Sequence, residues 1–199
     1  MPLEFLLRLS RHQAYLYYLK SVVIPNSVTT INYETFQDCI SLESVTLPDS
    51  LTSIGVKAFW NCRSLKLTAF PDSLESISQE AFGYCKNIES ITIPKSVTNI
   101  GYKAFDGTPW LKKQLSEDPL LIENNMVISG YECSGDVVIP DSVTQICSSA
   151  FRECKNIKSV TVPSSVILIG NYAFGDCDNL SSLTILNPEC KIRGEIFST

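Results

Sequence analysis

Residues 140–162 read PDSVTQICSSAFRECKNIKSVTV, and residues 163–185 continue directly with PSSVILIGNYAFGDCDNLSSLTI. Residues 94–116, PKSVTNIGYKAFDGTPWLKKQLS, fall on the same pattern. Working outward, proline recurs at Pro25, Pro48, Pro71, Pro94, Pro140 and Pro163. Phenylalanine keeps the same beat at Phe36, Phe59, Phe82, Phe105, Phe151, Phe174 and Phe197. Cysteine follows at Cys39, Cys62, Cys85, Cys154 and Cys177. Three residue types share a period of 23, which is the signature of a repeat architecture.

Within the 140–162 unit the apolar positions are Val143, Ile146, Phe151, Cys154, Ile157, Val160 and Val162. The end of the unit alternates by two, as a strand does; the middle steps by three, as a tight helical turn does. Short strands are predicted at Ser21–Ile24, Ser44–Leu47, Ser90–Ile93, Ser159–Val162 and Ser182–Ile185, each closed by a residue at the proline position. Proline has no N–H to give a ladder. A second extended piece, such as Val28–Ile31 or Val143–Ile146, precedes a helical turn at the Ala-Phe pair. No single unit can bury its own apolar side, so the units must stack. The expected fold is a repeat solenoid, with short parallel strands in a sheet and helical turns on the opposite side.

Two stretches depart from the pattern. From Gly107 to Gly135 the Phe and Cys are lost, and strict counting places Ile128 at the Phe position and Tyr131 at the Cys position. Trp110–Leu115 reads as a longer helix. Leu120–Glu123 and Met126–Tyr131 around Asn124-Asn125 read as a hairpin. Residues 1–20 read as an N-terminal helical cap or leader. Residues 21–199 read as one solenoid, with a remodelled rung at about 107–139 and an incomplete last repeat at 186–199. That unfinished repeat predicts either a longer natural chain or self-association through the C-terminal end.

These units resemble the BspA-type leucine-rich repeats, whose consensus is near IPxSVTxIGxxAFxxCxxLxSVTI. Pro48-Asp-Ser-Leu51, Ile54-Gly55, Ala58-Phe59, Cys62 and Leu65 carry the resemblance, as does the variant run Thr108–Lys113 ahead of Gly135–Pro140. The resemblance implies a right-handed, leucine-rich-repeat-like coil, and a surface-displayed or secreted protein that adheres to host-matrix or other proteins. Met1–Lys20 lacks the features of a secretory signal, because Glu4, Arg8 and Arg11 interrupt it.

The chemistry of the chain narrows its function. Its 199 residues carry 16 basic and 21 acidic side chains, a formal charge of −5, which does not suit nucleic-acid binding. No apolar run is long enough to cross a bilayer. A single histidine, His12, removes most catalytic triads and zinc sites. No catalytic residue, cofactor or metal ligand is therefore expected. The cysteines read as small buried side chains, with Cys39, Cys62, Cys85, Cys154 and Cys177 in one column and Cys133, Cys147 and Cys190 outside it. Cys147 takes a glycine position where an accessible thiol is expected, and a Cys133–Cys147 bridge is the alternative. Asn179-Leu180-Ser181 is a glycosylation sequon in a eukaryotic secretory context.

Binding is the expected activity. The outward strand positions are Ser44, Thr46, Leu67, Ala69, Ser90, Thr92, Leu115, Val138, Ser159, Thr161, Ser182 and Thr184, a face suited to a protein partner. Leu67, Ala69, Leu115 and Val138 make its predicted middle apolar, as in an interface core. The competing readings are Ser/Thr that merely suit exposed strands, a structural spacer or self-associating segment of a longer repeat protein, and a carbohydrate surface. Trp60 and Tyr84 lie off this face, on the turn side.

Overall fold

Parallel pairing at the repeat period organises the computed structural model, which describes residues 17–198. The chain forms two compact units, residues 1–113 and 114–199. In the first, β1 (Ser21–Val23), β2 (Thr30–Ile31), β3 (Ser44–Thr46), β4 (Ser53–Ile54), β5 (Ser76–Ile77) and β6 (Asn99–Ile100) succeed one another. The helix α1 (Pro109–Glu117) runs across the division. The second unit holds β7 (Leu121–Glu123), β8 (Met126–Ser129), β9 (Gly135–Val138), β10 (Gln145–Ile146), β11 (Ile157–Val162), β12 (Leu168–Ile169), β13 (Ser182–Ile185) and β14 (Lys191–Ile192).

Each unit is a β-solenoid. In the first, β2, β4, β5 and β6 form a four-stranded parallel sheet in which Ile31, Ile54, Ile77 and Ile100 pair in line, and β1 pairs with β3. In the second, β9, β11 and β13 form one sheet, and β7, β8, β10, β12 and β14 another. Residues one period apart therefore sit one over the other. Phe36, Phe59, Phe82 and Phe105 stack with centroids 5.1, 5.2 and 5.5 Å apart and ring planes within 14° of parallel. Phe151 stacks on Phe174 at 5.1 Å. Strands lie about 4.8 Å apart, so ring spacing simply follows backbone spacing.

The serine of the Pro-x-Ser turn ties rungs together. Ser50, Ser73 and Ser165 donate their hydroxyls to the carbonyls of Val28, Leu51 and Val143 in the preceding rung, at 2.9, 2.7 and 2.7 Å.

The predicted helical turns at the Ala-Phe pair take a different form. Alternate amides in this segment serve different masters. Lys57, Phe59 and Asn61 donate to Gln79, Ala81 and Gly83 of the next rung, while Ala58, Trp60 and Cys62 donate three residues back. A helix would spend every N–H on itself. Turning alternate N–H groups toward the next rung requires left-handed residues, and these recur at the repeat period: Glu34, Lys57, Glu80 and Lys103, then Asp38, Asn61, Tyr84 and Gly107. A non-glycine residue in that conformation costs about 1 kcal/mol, which the inter-rung hydrogen bonds offset.

The remodelled rung contains the expected hairpin. β7 and β8 pair antiparallel with Glu123 opposite Met126, and Asn124 and Asn125 both take positive φ, as a tight two-residue turn demands. The longer helix expected at Trp110–Leu115 is α1: Pro109 stands at its first position, and the Thr108 hydroxyl accepts from the Leu111 N–H at 3.2 Å.

Strict counting fails in this rung. Val127, not Glu123, pairs with Ile146, and the Gly130 N–H donates to Ala150, the bond that phenylalanine makes elsewhere. Gly130 thus holds the Phe position and Cys133 the Cys position, correcting Ile128 and Tyr131. The physical reason is volume. The Phe151 ring leans into the place a side chain would take, so that a Cβ at Gly130 would fall within the ring's contact distance. The period is regained at β9, where Val137 pairs with Val160.

The N-terminal helical cap expected over residues 1–20 lies almost wholly outside the described residues.

Candidate functional site

In the first unit the predicted strand face presents Ser44, Thr46, Ala69, Ser90 and Thr92 to solvent. β1 and β3 pair in register, but residues 67–70 form no strand, and only an isolated bridge joins Ala69 to Thr92. Leu67 was expected on the face and is instead buried, with 7 % of its surface exposed. It stands where the neighbouring rungs have Ser44 and Ser90, and its side chain gains more in the core than a ladder position would return. Thr68 is turned outward in exchange.

In the second unit β9, β11 and β13 carry Asp136, Val138, Ser159, Thr161, Ser182 and Thr184 in two parallel columns. Val160, one residue over, is buried, so alternation holds. The Ser159 hydroxyl donates to Asp136 Oδ1 at 2.6 Å. Val138 is 71 % exposed, with Thr161 and Thr184 beside it at successive ladder positions. Leu115 is the second correction. It lies on α1, half-buried, and not on any strand, because the stretch that counting assigned to a strand is helical.

A second sheet face went unrecognised in the sequence. β2, β4, β5 and β6 present Thr30, Ser53, Ser76 and Asn99 in register. The signal was present, a small polar residue before each core isoleucine at the repeat period. The hydroxyls of Thr30 and Ser53 serve the fold. Ser53 donates to Thr30 at 3.1 Å, and Thr52 to the Thr29 carbonyl at 3.1 Å.

All eight thiols are free. Cys62, Cys85, Cys154 and Cys177 donate to the carbonyls of Phe36, Phe59, Gly130 and Phe151 in the preceding rung, at 3.0, 3.1, 3.1 and 2.9 Å. The column thus needs a small side chain that is both apolar and a weak donor. Cys133, expected outside the column, belongs to it. Cys147 is buried at the position where Gly55, Gly101 and Gly170 stand. Burial pushes the Cys85 and Cys133 thiols up to about 12 and Cys177 to about 11, so these are poor nucleophiles at neutral pH.

On the turn side, Trp60 and Tyr84 meet edge to face at 5.7 Å. Trp60 packs against Gly83 and Tyr84 against Gly107, and the ammonium groups of Lys57 and Lys86 approach the two rings at 6.0 and 5.1 Å. Both rings are thus engaged from within the protein. Asn179 of the sequon is exposed, and its amide donates to the Lys155 carbonyl at 2.6 Å. Among the described residues no group of His, Cys, Asp and Glu is arranged to hold a metal ion, and no helix is long and apolar enough to cross a membrane.

A model of the BspA type leucine rich repeat region matches residues 12–126 and 130–199, with six copies. The chain belongs to the BspA-type leucine-rich repeat family. No curated protein matches it. Among solved structures, this repeat protein is similar to the T. pallidum leucine rich repeat protein at 29 % identity, covering 90 % of this chain and 73 % of that one, with a TM-score of 0.44. A leucine-rich repeat protein from Bacteroides ovatus is 19 % identical over 88 % of this chain and 71 % of that one, with a TM-score of 0.44. The pneumococcal vaccine antigen PcpA is 25 % identical over 86 % of this chain and 52 % of that one, with a TM-score of 0.45.

Proposed function

We propose that this BspA-type repeat protein is a non-catalytic interaction and adhesion module of a surface-displayed or secreted protein, and that it holds a protein partner through its exposed strand faces. The observation that carries the reading is the column Val138, Thr161 and Thr184 on the three-stranded parallel sheet of the second unit. An extended, regularly spaced row of outward β-branched side chains, with Val138 and Thr184 exposed and Thr161 half-buried, offers apolar contact at little cost in side-chain entropy. Flanking Ser159, Ser182 and Asp136 supply a polar border, the anatomy of a protein interface. In the first unit Ser44, Thr46, Ala69, Ser90 and Thr92 offer a smaller, more polar surface. The buried, proton-holding thiols and the scarcity of histidine favour binding over catalysis. Repeat solenoids generally serve as binding surfaces, which favours a protein partner.

The test is capture of matrix and cell-surface proteins on immobilised protein. Val138→Asp combined with Thr161→Asp should weaken capture about tenfold or more, the scale of a central interface contact, with an unchanged circular dichroism spectrum. Capture that survives these changes, and also survives Thr46→Asp with Thr92→Asp, would refute the strand-face assignment. Surface labelling of intact source cells tests the location: a protein untouched by a membrane-impermeant reagent until lysis is not displayed.

A further inference from the structure

We draw no further inference here: the strongest candidate, the outer edge of β14 in the second unit, where Ile192 stands 47 % exposed, carries no proposal because nothing in the structure shows what covers it.

Discussion

At the scale of single residues, the columns convert one period of sequence into direct contact. Phe59 lies between Phe36 and Phe82, so removing its ring opens a cavity that neither neighbour can fill. Phe59→Ala should destabilise the protein by about 3–5 kcal/mol, read by urea unfolding. Gly130 poses the opposite constraint. Gly130→Ala would push a methyl into the Phe151 ring and should cost about 1–3 kcal/mol, whereas Ser134→Ala, exposed on the same rung, should be neutral. Equal effects of these two changes would overturn the assignment of Gly130 to the phenylalanine position. The thiols add a pH dependence. Unfolded cysteine loses its proton near its ordinary value of about 8.5, whereas folded Cys85 and Cys133 hold theirs up to about 12. Between those limits the folded state binds more protons, so stability falls as pH rises. The melting temperature should decline from about pH 9 upward, and less steeply in Cys85→Ala.

At the scale of elements, the rungs are held in phase by charge as well as by apolar packing. Glu34, Lys57, Glu80 and Lys103 alternate in sign at the repeat period, as do Lys20, Glu43, Lys66 and Glu89. Lys57 reaches Glu80 at 3.4 Å. A slip by one rung would place like charges together, so the alternation specifies the stacking order. The pair is partly exposed and screened, so its contribution is small. In a double-mutant cycle Lys57→Ala and Glu80→Ala should couple by about 0.5 kcal/mol. Additive losses would show that the two side chains do not interact. The elements also mark where the sequence could be read. The hairpin and its Asn124-Asn125 turn were legible because two-residue turns with positive φ have their own chemistry. Leu67 was not, since counting assigns a face by position alone and takes no account of a leucine's gain from burial.

At the scale of the whole molecule, each unit is a stack in which a rung touches only the rungs beside it, so damage should spread by nearest neighbours. In Phe59→Ala, amide exchange should rise most in the adjoining rungs, at Phe36, whose N–H donates to the Ala58 carbonyl beside the altered residue, and at Phe82. It should rise least in the second unit, around Phe151 and Phe174. Hydrogen exchange with mass spectrometry resolves this pattern, and uniform loss of protection would contradict it. The period, the phenylalanine column, the family and the strands near residues 21–24, 44–47, 159–162 and 182–185 were legible from residue identity, because side chains that stack must resemble one another at every step. The strand expected at Ser90–Ile93 is reduced to a single bridge at Thr92. Only the tertiary structure decided the left-handed residues of the turns, the inward turn of Leu67, and the shift that puts Gly130 and Cys133 in register with Phe151 and Cys154. Those features depend on where a neighbouring rung leaves hydrogen-bond partners and space, and no rung's own sequence carries that information.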